Sequence, residues 1–277
     1  MAAGTKLYAW AIPAFMEGAP VDHTWVTNFD NHKFNYPAIA AVIAAKLSCW
    51  YCWGSYHPTG GAPENPTGAL GSQNGNLAFA ACLVAPNADS QTVPTARGTI
   101  FRYGVDGVCH QLANQVLYST GTGGVAPLTV RKARGYAASS FIYGTYGLEH
   151  AAWIAKIASC GAASKTAPAT VHWTTGGNGM QKKADPDEFT AHASNILADE
   201  PQLLSQLLSL RAEVQSFVAH HIPGSVPPPA EMLNSRNQHL MDEAARLLGS
   251  EKFEKVFGFK PEEGIHLVDP SLFKVDK

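Results

Sequence analysis

The clearest hydrophobic pattern lies near the end of the chain. Over residues 201–221, apolar residues recur at helical spacing, which predicts an amphipathic helix with Arg211 and Glu213 on its polar side. The residues of this stripe are Leu203, Leu204, Leu207, Leu208, Val214, Phe217 and Val218. Before it, the run 185–188 offers an aspartate N-cap, a first-turn proline and an acid, which predicts a helix ending at about Asp199.

Two more helices are predicted after the break at residues 227–229, which are all proline. The first has an apolar side made by Met232, Leu233, Leu240, Ala244 and Leu247. The second is short, begins with Ser250 as its cap and stops at Gly258. Residues 181–277 are therefore expected to form a helical extension that packs on the preceding part of the chain or on a second subunit.

The first part of the chain mixes strand and helix patterns. Residues 7–12 and 23–29 are aromatic and β-branched or alternate in polarity, which predicts strands, and Leu77–Val84 is interpreted as a further strand. Residues 37–47 predict a helix, whereas 60–75 are rich in Gly, Pro, Asn and Ser and predict a loop. We expect an α+β domain over 1–180 with an antiparallel sheet, followed by the extension over 181–277.

The density of charged residues differs between the same two parts, and the net charge makes some classes of binding partner improbable. Of the 42 charged residues, 17 lie in 1–179 and 25 in 180–277, and the net charge of the 277-residue chain is −2. A chain without a strong positive field is a poor match for nucleic acid or a membrane surface. No apolar run of roughly 18 residues occurs and the first residues lack the order of a signal peptide, so we expect a cytoplasmic protein.

The candidate nucleophile is Cys109. Five cysteines make an odd set, so at least one thiol is expected to be free. Residues 103–107 are rich in glycine, and Val108, Leu112 and Val116 then recur at helical spacing, which places Cys109 in the first turn of a helix. The N–H groups at a helix N-terminus lower the pKa of a thiol, and glycines allow main-chain N–H groups to reach a reacting carbonyl. The opposing interpretation is a buried structural cysteine.

A thiol nucleophile needs a base, and the chain has eleven histidines. His23 opens a predicted strand, where alternation puts it on the same face as Trp25. His172 also lies in a strand-like run, and His150 lies in a helical one. Each of these is more often a packed or solvated histidine when considered alone.

A cysteine that starts a helix, paired with a histidine on a strand, resembles the papain-like thiol superfamily and its NlpC/P60 branch. The order of His23 before Cys109 is similar to the circularly permuted members, whereas Cys109 before His172 would fit the ordinary order. We favour the permuted order. The resemblance implies amide hydrolysis or acyl transfer through a thioester on Cys109, with His23 as general base.

His57 is our choice for the polar group that orients the base. His110 and Gln111 follow the cysteine, where the permuted families often have a serine and an acid.

Other chemistry has weaker signals. The pair Cys49 and Cys52 forms a single CxxC, which favours a packed strand over a zinc site, although His57 and His32 could complete one. The basic cluster 131–136 is interpreted as a solvated turn before a helix, with an anion clamp as the sharper alternative. No phosphate-binding loop is present, so neither cofactor nor metal is predicted.

Two classes of function therefore remain open. The first is the thiol enzyme, acting on a small molecule or peptide with an amide or ester carbonyl. The second is a binding or assembly protein in which Cys109 is inert and the C-terminal helices form a homo-oligomer.

Overall fold

A computed structural model describes residues 5–14, 20–30, 49–51, 68–85, 98–121, 124–164, 187–220 and 228–270. Four strands form one antiparallel sheet in the order β3-β2-β1-β4. The strands are β1 (Thr5–Pro13), β2 (Asp22–Thr27), β3 (Cys49–Tyr51) and β4 (Gly68–Gly75). The helices are α1 (Leu77–Val84), α2 (Cys109–Leu117), α3 (Tyr136–Tyr143), α4 (His150–Ser164), α5 (Glu188–Ile196), α6 (Pro201–His220), α7 (Ala230–Leu248) and α8 (Ser250–Phe257). The α+β class expected from the sequence is confirmed.

The sheet has two different faces because side chains alternate along each strand. Leu7 and Ala9 of β1 and Val26 of β2 join the main hydrophobic core, which also contains the apolar residues of α2. Trp10 and Trp25, which are paired across β1 and β2, form a separate small cluster on the other face. The Nε1 of Trp10 donates to the Thr27 hydroxyl at 2.7 Å, so this indole is satisfied although it is buried.

Helix α2 is surrounded on all sides, since every residue from Cys109 to Leu117 is buried. Its apolar residues enter the main core, as the sequence pattern predicted. Its polar residues are paired with main-chain groups or neighbouring side chains, which is the condition for burying them at low cost. This helix is therefore the central element of the described fold.

The predicted strand at Leu77–Val84 is wrong, because this run is the helix α1. The side chain of Asn76 caps the helix by accepting a hydrogen bond from the Phe79 N–H at 2.9 Å. A short apolar run has no periodicity that distinguishes a buried strand from a buried helix. The Asn76 cap is therefore the local feature that favours the helix. The predicted loop over 60–75 is also corrected in part, since Gly68–Gly75 forms β4.

A disulfide joins α1 to α4 through Cys82 and Cys160. It lies in a second apolar cluster that also contains Phe79, Tyr118 and Trp153. Among the cysteines whose side chains the structure describes, Cys109 keeps its thiol and takes no part in a disulfide. Cys49 contributes its main chain to β3, consistent with the strand predicted around it, and Cys52 lies outside the described residues.

The C-terminal helices pack on the first part of the chain. Phe141 of α3 contacts Phe189 of α5 and Phe257 of α8, with ring centroids 5.3 and 5.5 Å apart. Residues from both predicted domains belong to one hydrophobic cluster. The boundary expected near residue 180 lies outside the described residues, as do the predicted helix at 37–47 and Pro227 of the break at 227–229.

Helix limits in this region follow local caps. The helix predicted to start at Asp185 begins slightly later, with Asp187 as its N-cap and Ile196 as its last residue. Helix α6 runs from Pro201 to His220, as predicted, but Arg211 does not lie on its polar side. Only 8% of Arg211 is exposed, and it lies on the buried face with Leu207, Val214 and Val218.

Candidate thiol site

The site is built where helix α2 meets the start of strand β2. Strand β3 pairs with β2 only from Trp25 to Thr27, so the edge of β2 before Trp25 is left for other elements. The start of α2 and the turn before α3 occupy it. The N–H of Asp22 donates to the Arg134 carbonyl at 3.0 Å, and the Asp22 carboxylate accepts from the Arg134 N–H at 2.9 Å.

Cys109 is the first residue of α2, as the sequence predicted. The turn before it is held by Asp106, whose carboxylate accepts a hydrogen bond from the Arg102 guanidinium at 2.7 Å. The Gln111 side chain accepts from the Val108 N–H at 3.1 Å, which satisfies one of the free donors at the helix start. Glycine is required at position 104, where φ is +78° and an added Cβ would lie 2.8 Å from Leu233.

The thiol lies against the residues on either side of His23. The Cys109 Sγ–H donates to the Asp22 carbonyl at 3.9 Å and the sulfur also interacts with Thr24. Cys109 is only 5% exposed. Burial raises the pKa of the Cys109 thiol to about 11, although Thr24 and the main chain of His110 act in the opposite direction. The expected lowering of this pKa is therefore wrong, because the loss of hydration outweighs the hydrogen bonds that favour the thiolate.

His23 lies on β2, as predicted, and is partly buried. Its ring stacks on Trp25 with centroids 6.2 Å apart, so the imidazole is directed to the tryptophan face of the sheet. Burial lowers the pKa of His23 to about 3, and the nearby His110 acts in the same direction. The structure thus places the main chain around His23 beside the thiol and turns the imidazole toward Trp25.

Other predicted residues are placed elsewhere or are not described. His57, the candidate orienting residue, and His172, the alternative base, lie outside the described residues, as does His32. His150 is the first residue of α4 and is exposed. In the basic cluster Arg131, Lys132 and Arg134 are exposed in the turn that precedes α3, which agrees with the predicted solvated turn. The nearby Ser139, Ser140 and Tyr143 are buried, so they do not form an open anion clamp with it.

The buried hydrogen bonds made by the polar residues of α2 were not predicted from the sequence. His110 and Gln111 of α2 are fully buried and both contact Ser139 of α3. One turn later Asn114 accepts from the Val130 N–H and donates to the Thr145 carbonyl, both at 2.9 Å. The signal was present as four polar residues at helical spacing, His110, Gln111, Asn114 and Gln115. A polar face of this kind is normally solvated, and the sequence contains no sign that it is enclosed.

Among the described residues, no group of three or more His, Cys, Asp or Glu side chains could hold a metal ion. No helix in the described part of the chain has the length and apolar character needed to cross a membrane. Comparison with known protein families, with curated proteins and with solved structures finds no match to this chain.

Proposed function

We propose that this chain is a thiol-dependent acyl-transfer enzyme with Cys109 as its nucleophile and His23 as general base. The observation that carries the proposal is the position of the Cys109 sulfur, at the start of a helix and against Asp22 and Thr24, the two residues that flank His23. A helix N-terminus beside the main chain of a strand-borne histidine supports a site that resembles the papain-like superfamily in its permuted order. The substrate would be a small molecule or peptide with an amide or ester carbonyl.

In the proposed reaction, the Cys109 sulfur attacks the substrate carbonyl and forms a thioester as the bond to the amine or alcohol breaks. The thiol proton passes to His23, whose imidazole must first turn from Trp25 toward the sulfur, and then to the leaving group. Water or a second nucleophile cleaves the thioester and restores the thiol. The N–H groups at the start of α2 are candidates to stabilise the negative charge that develops on the carbonyl oxygen.

We infer that the described arrangement is a resting form of the proposed pair. With a thiol pKa of about 11 and an imidazole pKa of about 3, both groups are uncharged at neutral pH. Burial opposes both charged forms, so hydration or substrate binding at the site must precede proton transfer. We therefore expect slow reaction of Cys109 with small electrophiles at pH 7 and faster reaction as the pH rises.

The test is the search for an acyl group on Cys109. The protein is incubated with a panel of p-nitrophenyl esters and aminocoumarin amides, quenched in acid and analysed by mass spectrometry. We expect a hydroxylamine-sensitive adduct on Cys109, none in Cys109→Ala, and at least about a 100-fold slower adduct formation in His23→Ala. His239→Ala, which removes an exposed imidazole on α7, is the control and should behave as the unaltered protein.

A second candidate is a binding or assembly protein in which Cys109 is a core residue. It is favoured by the small exposed fraction of Cys109 and by the raised pKa of its thiol. Absence of any adduct on Cys109 between pH 6 and 10, in protein that stays folded, would reject the enzyme and support this candidate. Dependence of the adduct on His172 instead of His23 would keep the enzyme but assign the ordinary order of catalytic residues.

The disulfide bears on where the protein acts. The sequence favours the cytosol, but structural disulfides persist mainly in oxidising compartments. The Cys82–Cys160 pair therefore supports a protein that works outside a reducing cytosol.

A further inference from the structure

His110 is a buried imidazole whose hydrogen bonds define its protonation state. Its Nε2 lies 2.9 Å from the Asp22 carbonyl oxygen, and its Nδ1 lies 2.8 Å from the Ser139 hydroxyl oxygen. A carbonyl oxygen can only accept, so Nε2 carries the hydrogen. The one hydrogen of the Ser139 hydroxyl lies within reach of Nδ1 and of the Tyr136 carbonyl, which is 3.0 Å away. Burial lowers the pKa of His110 to about 4, in agreement with a neutral ring.

Neighbouring groups hold this pair in one orientation. The ring of Tyr136 meets the imidazole edge-on, with centroids 5.8 Å apart. The Gln111 amide lies 3.4 Å from the Ser139 oxygen and also donates to the Gly144 carbonyl at 2.9 Å. The ionisable groups that face His110 are His23 and Asp22 of β2, together with Tyr136 of α3.

The bond to Asp22 connects the start of α2 to the edge of β2. The same carbonyl oxygen accepts from the Cys109 thiol, so adjacent residues of α2 contact one atom of β2. The imidazole bond is much the shorter of the two, and a sulfur donor is weak. His110 is thus the stronger of these two attachments between α2 and the segment that contains His23.

We propose that His110 is a positioning residue, which fixes β2 beside the Cys109 thiol through its bond to the Asp22 carbonyl. Ser139 supports it by contacting Nδ1 on the opposite side of the ring. Through this bond His110 sets the position of His23 relative to the sulfur. The inference rests on the proposed function for its consequence in catalysis, but the attachment itself is testable without a substrate.

The experiment measures the second-order rate constant of Cys109 alkylation by iodoacetamide at pH 8.5 in folded protein. His110→Leu removes the bond, whereas His110→Gln keeps an N–H donor at a similar distance along the side chain. His192→Leu is the matched control, because the Nε2 of His192 makes the same kind of bond, to the Val256 carbonyl at 2.8 Å, between α5 and α8. Circular dichroism and urea titration verify that each variant is folded.

We expect His110→Leu to raise the alkylation rate about tenfold, because loss of a buried hydrogen bond favours local opening by that factor. His110→Gln and His192→Leu should stay within about threefold of the unaltered protein. Equal rates in His110→Leu and His192→Leu would overturn the proposal. If His110→Leu does not fold, ¹⁵N imidazole spectra of the unaltered protein test the bond to Asp22 directly. A ring in the Nδ1–H form would exclude that bond and overturn the proposal.

A double-mutant comparison separates positioning from a general structural role. The rate constant of Cys109 alkylation is measured in His23→Ala alone and in the double variant with His110→Leu. Positioning predicts that the effect of His23→Ala shrinks at least about fivefold in the His110→Leu background, because the two residues then no longer act as a unit. An unchanged effect would reject positioning. If His23→Ala alone has no effect, the proposed catalytic pair fails, while the rates of His110→Leu and His192→Leu still decide whether His110 holds the edge of β2.

Discussion

At the scale of single residues, the described site is dominated by burial. His23 and His110 both have pKa values well below that of a free histidine, because a charged ring would lose its hydration. Cys109 responds to the same environment in the opposite direction, since its charged form is the thiolate. The protonation of these three groups is therefore controlled by how far water reaches each of them.

The first prediction concerns stability in acid. His110 has a pKa of about 4 in the folded protein against an ordinary histidine value of 6.5, so the unfolded chain binds more protons below pH 6.5. Its contribution to stability is present above pH 6.5 and is lost as the pH falls toward 4. The loss is roughly 3 kcal/mol from His110 alone, and His23 adds to it in the same direction. Urea unfolding at pH 7 and pH 4.5 measures this difference.

The matched variants are His110→Gln and His239→Gln. His110→Gln removes the titrating group and should reduce the difference in unfolding free energy between the two pH values. His239→Gln removes an exposed histidine of α7 and should leave the difference unchanged. The same loss of stability in acid for all three proteins would show that His110 does not titrate as its burial requires.

The sequence was informative about single residues where chemistry is local. Cys109 at a helix start and His23 on a strand follow from short-range patterns, and both are found in the described elements. The pKa of the thiol could not be predicted in this way, because it depends on how closely β2 and α3 cover the helix. His110 and Ser139 are far apart in the chain, and no local pattern links them.

At the scale of elements, side-chain pairing explains the error on α6. Arg211 was expected on the polar side because charged residues are rarely buried. In the structure its Nη1 donates to the Asp187 carboxylate at 2.7 Å and its Nη2 to the Ser140 carbonyl at 3.0 Å. Its guanidinium also lies over the Phe189 ring, 4.9 Å from the centroid. A buried arginine with these partners connects α6 to α3 and to the cap of α5.

The second prediction is that Arg211 holds these three elements together. Arg211→Met keeps the aliphatic volume but removes the charged donor from two acceptors. The Asp187 carboxylate keeps its cap bonds to α5, and the Ser140 carbonyl keeps its bond from the Gly144 N–H. We expect a loss of about 2 to 3 kcal/mol in the free energy of unfolding, measured by urea denaturation. Glu213→Met, on the exposed side of the same helix, is the control and should change stability by less than about 0.5 kcal/mol.

A double-mutant cycle with Asp187→Asn identifies the origin of the loss. Burial alone would raise the pKa of Asp187, but the charge and hydrogen bonds of Arg211 bring it below the usual value. The pair should therefore show a coupling free energy of at least about 1 kcal/mol. Additive effects of the two substitutions would mean that packing of Arg211, and not its charge, supports the helices.

At the scale of the molecule, the largest hydrophobic cluster of the described residues spans the boundary suggested by the change in charge density. Surface charge reports which helix faces are solvated, but it does not report whether two regions share an interior. Tyr143 of α3 shows the connection, because its hydroxyl donates to the Gly104 carbonyl at 2.8 Å and lies 3.1 Å from the Asn237 amide of α7. The turn before Cys109 is thus attached to the C-terminal helices.

The disulfide leads to the third prediction. It joins residues that are 78 positions apart, so it restricts the unfolded chain strongly. Cys82→Ser/Cys160→Ser should lower the free energy of unfolding by about 2 to 5 kcal/mol, and reduction with dithiothreitol should lower that of the unaltered protein by a similar amount. Cys109→Ser, which leaves the disulfide intact, is the control for loss of a buried thiol and should remain sensitive to dithiothreitol.

The location of the disulfide gives this measurement a second use. Cys82 and Cys160 join α1 to α4, and Cys160 belongs to the same apolar cluster as Tyr118, the residue that directly follows α2. If the disulfide only restricts the unfolded chain, its removal will leave the alkylation rate of Cys109 unchanged in protein that remains folded. A faster rate in Cys82→Ser/Cys160→Ser would show that the pair also holds α2 in place, and would make access to the thiol depend on the redox state of the compartment.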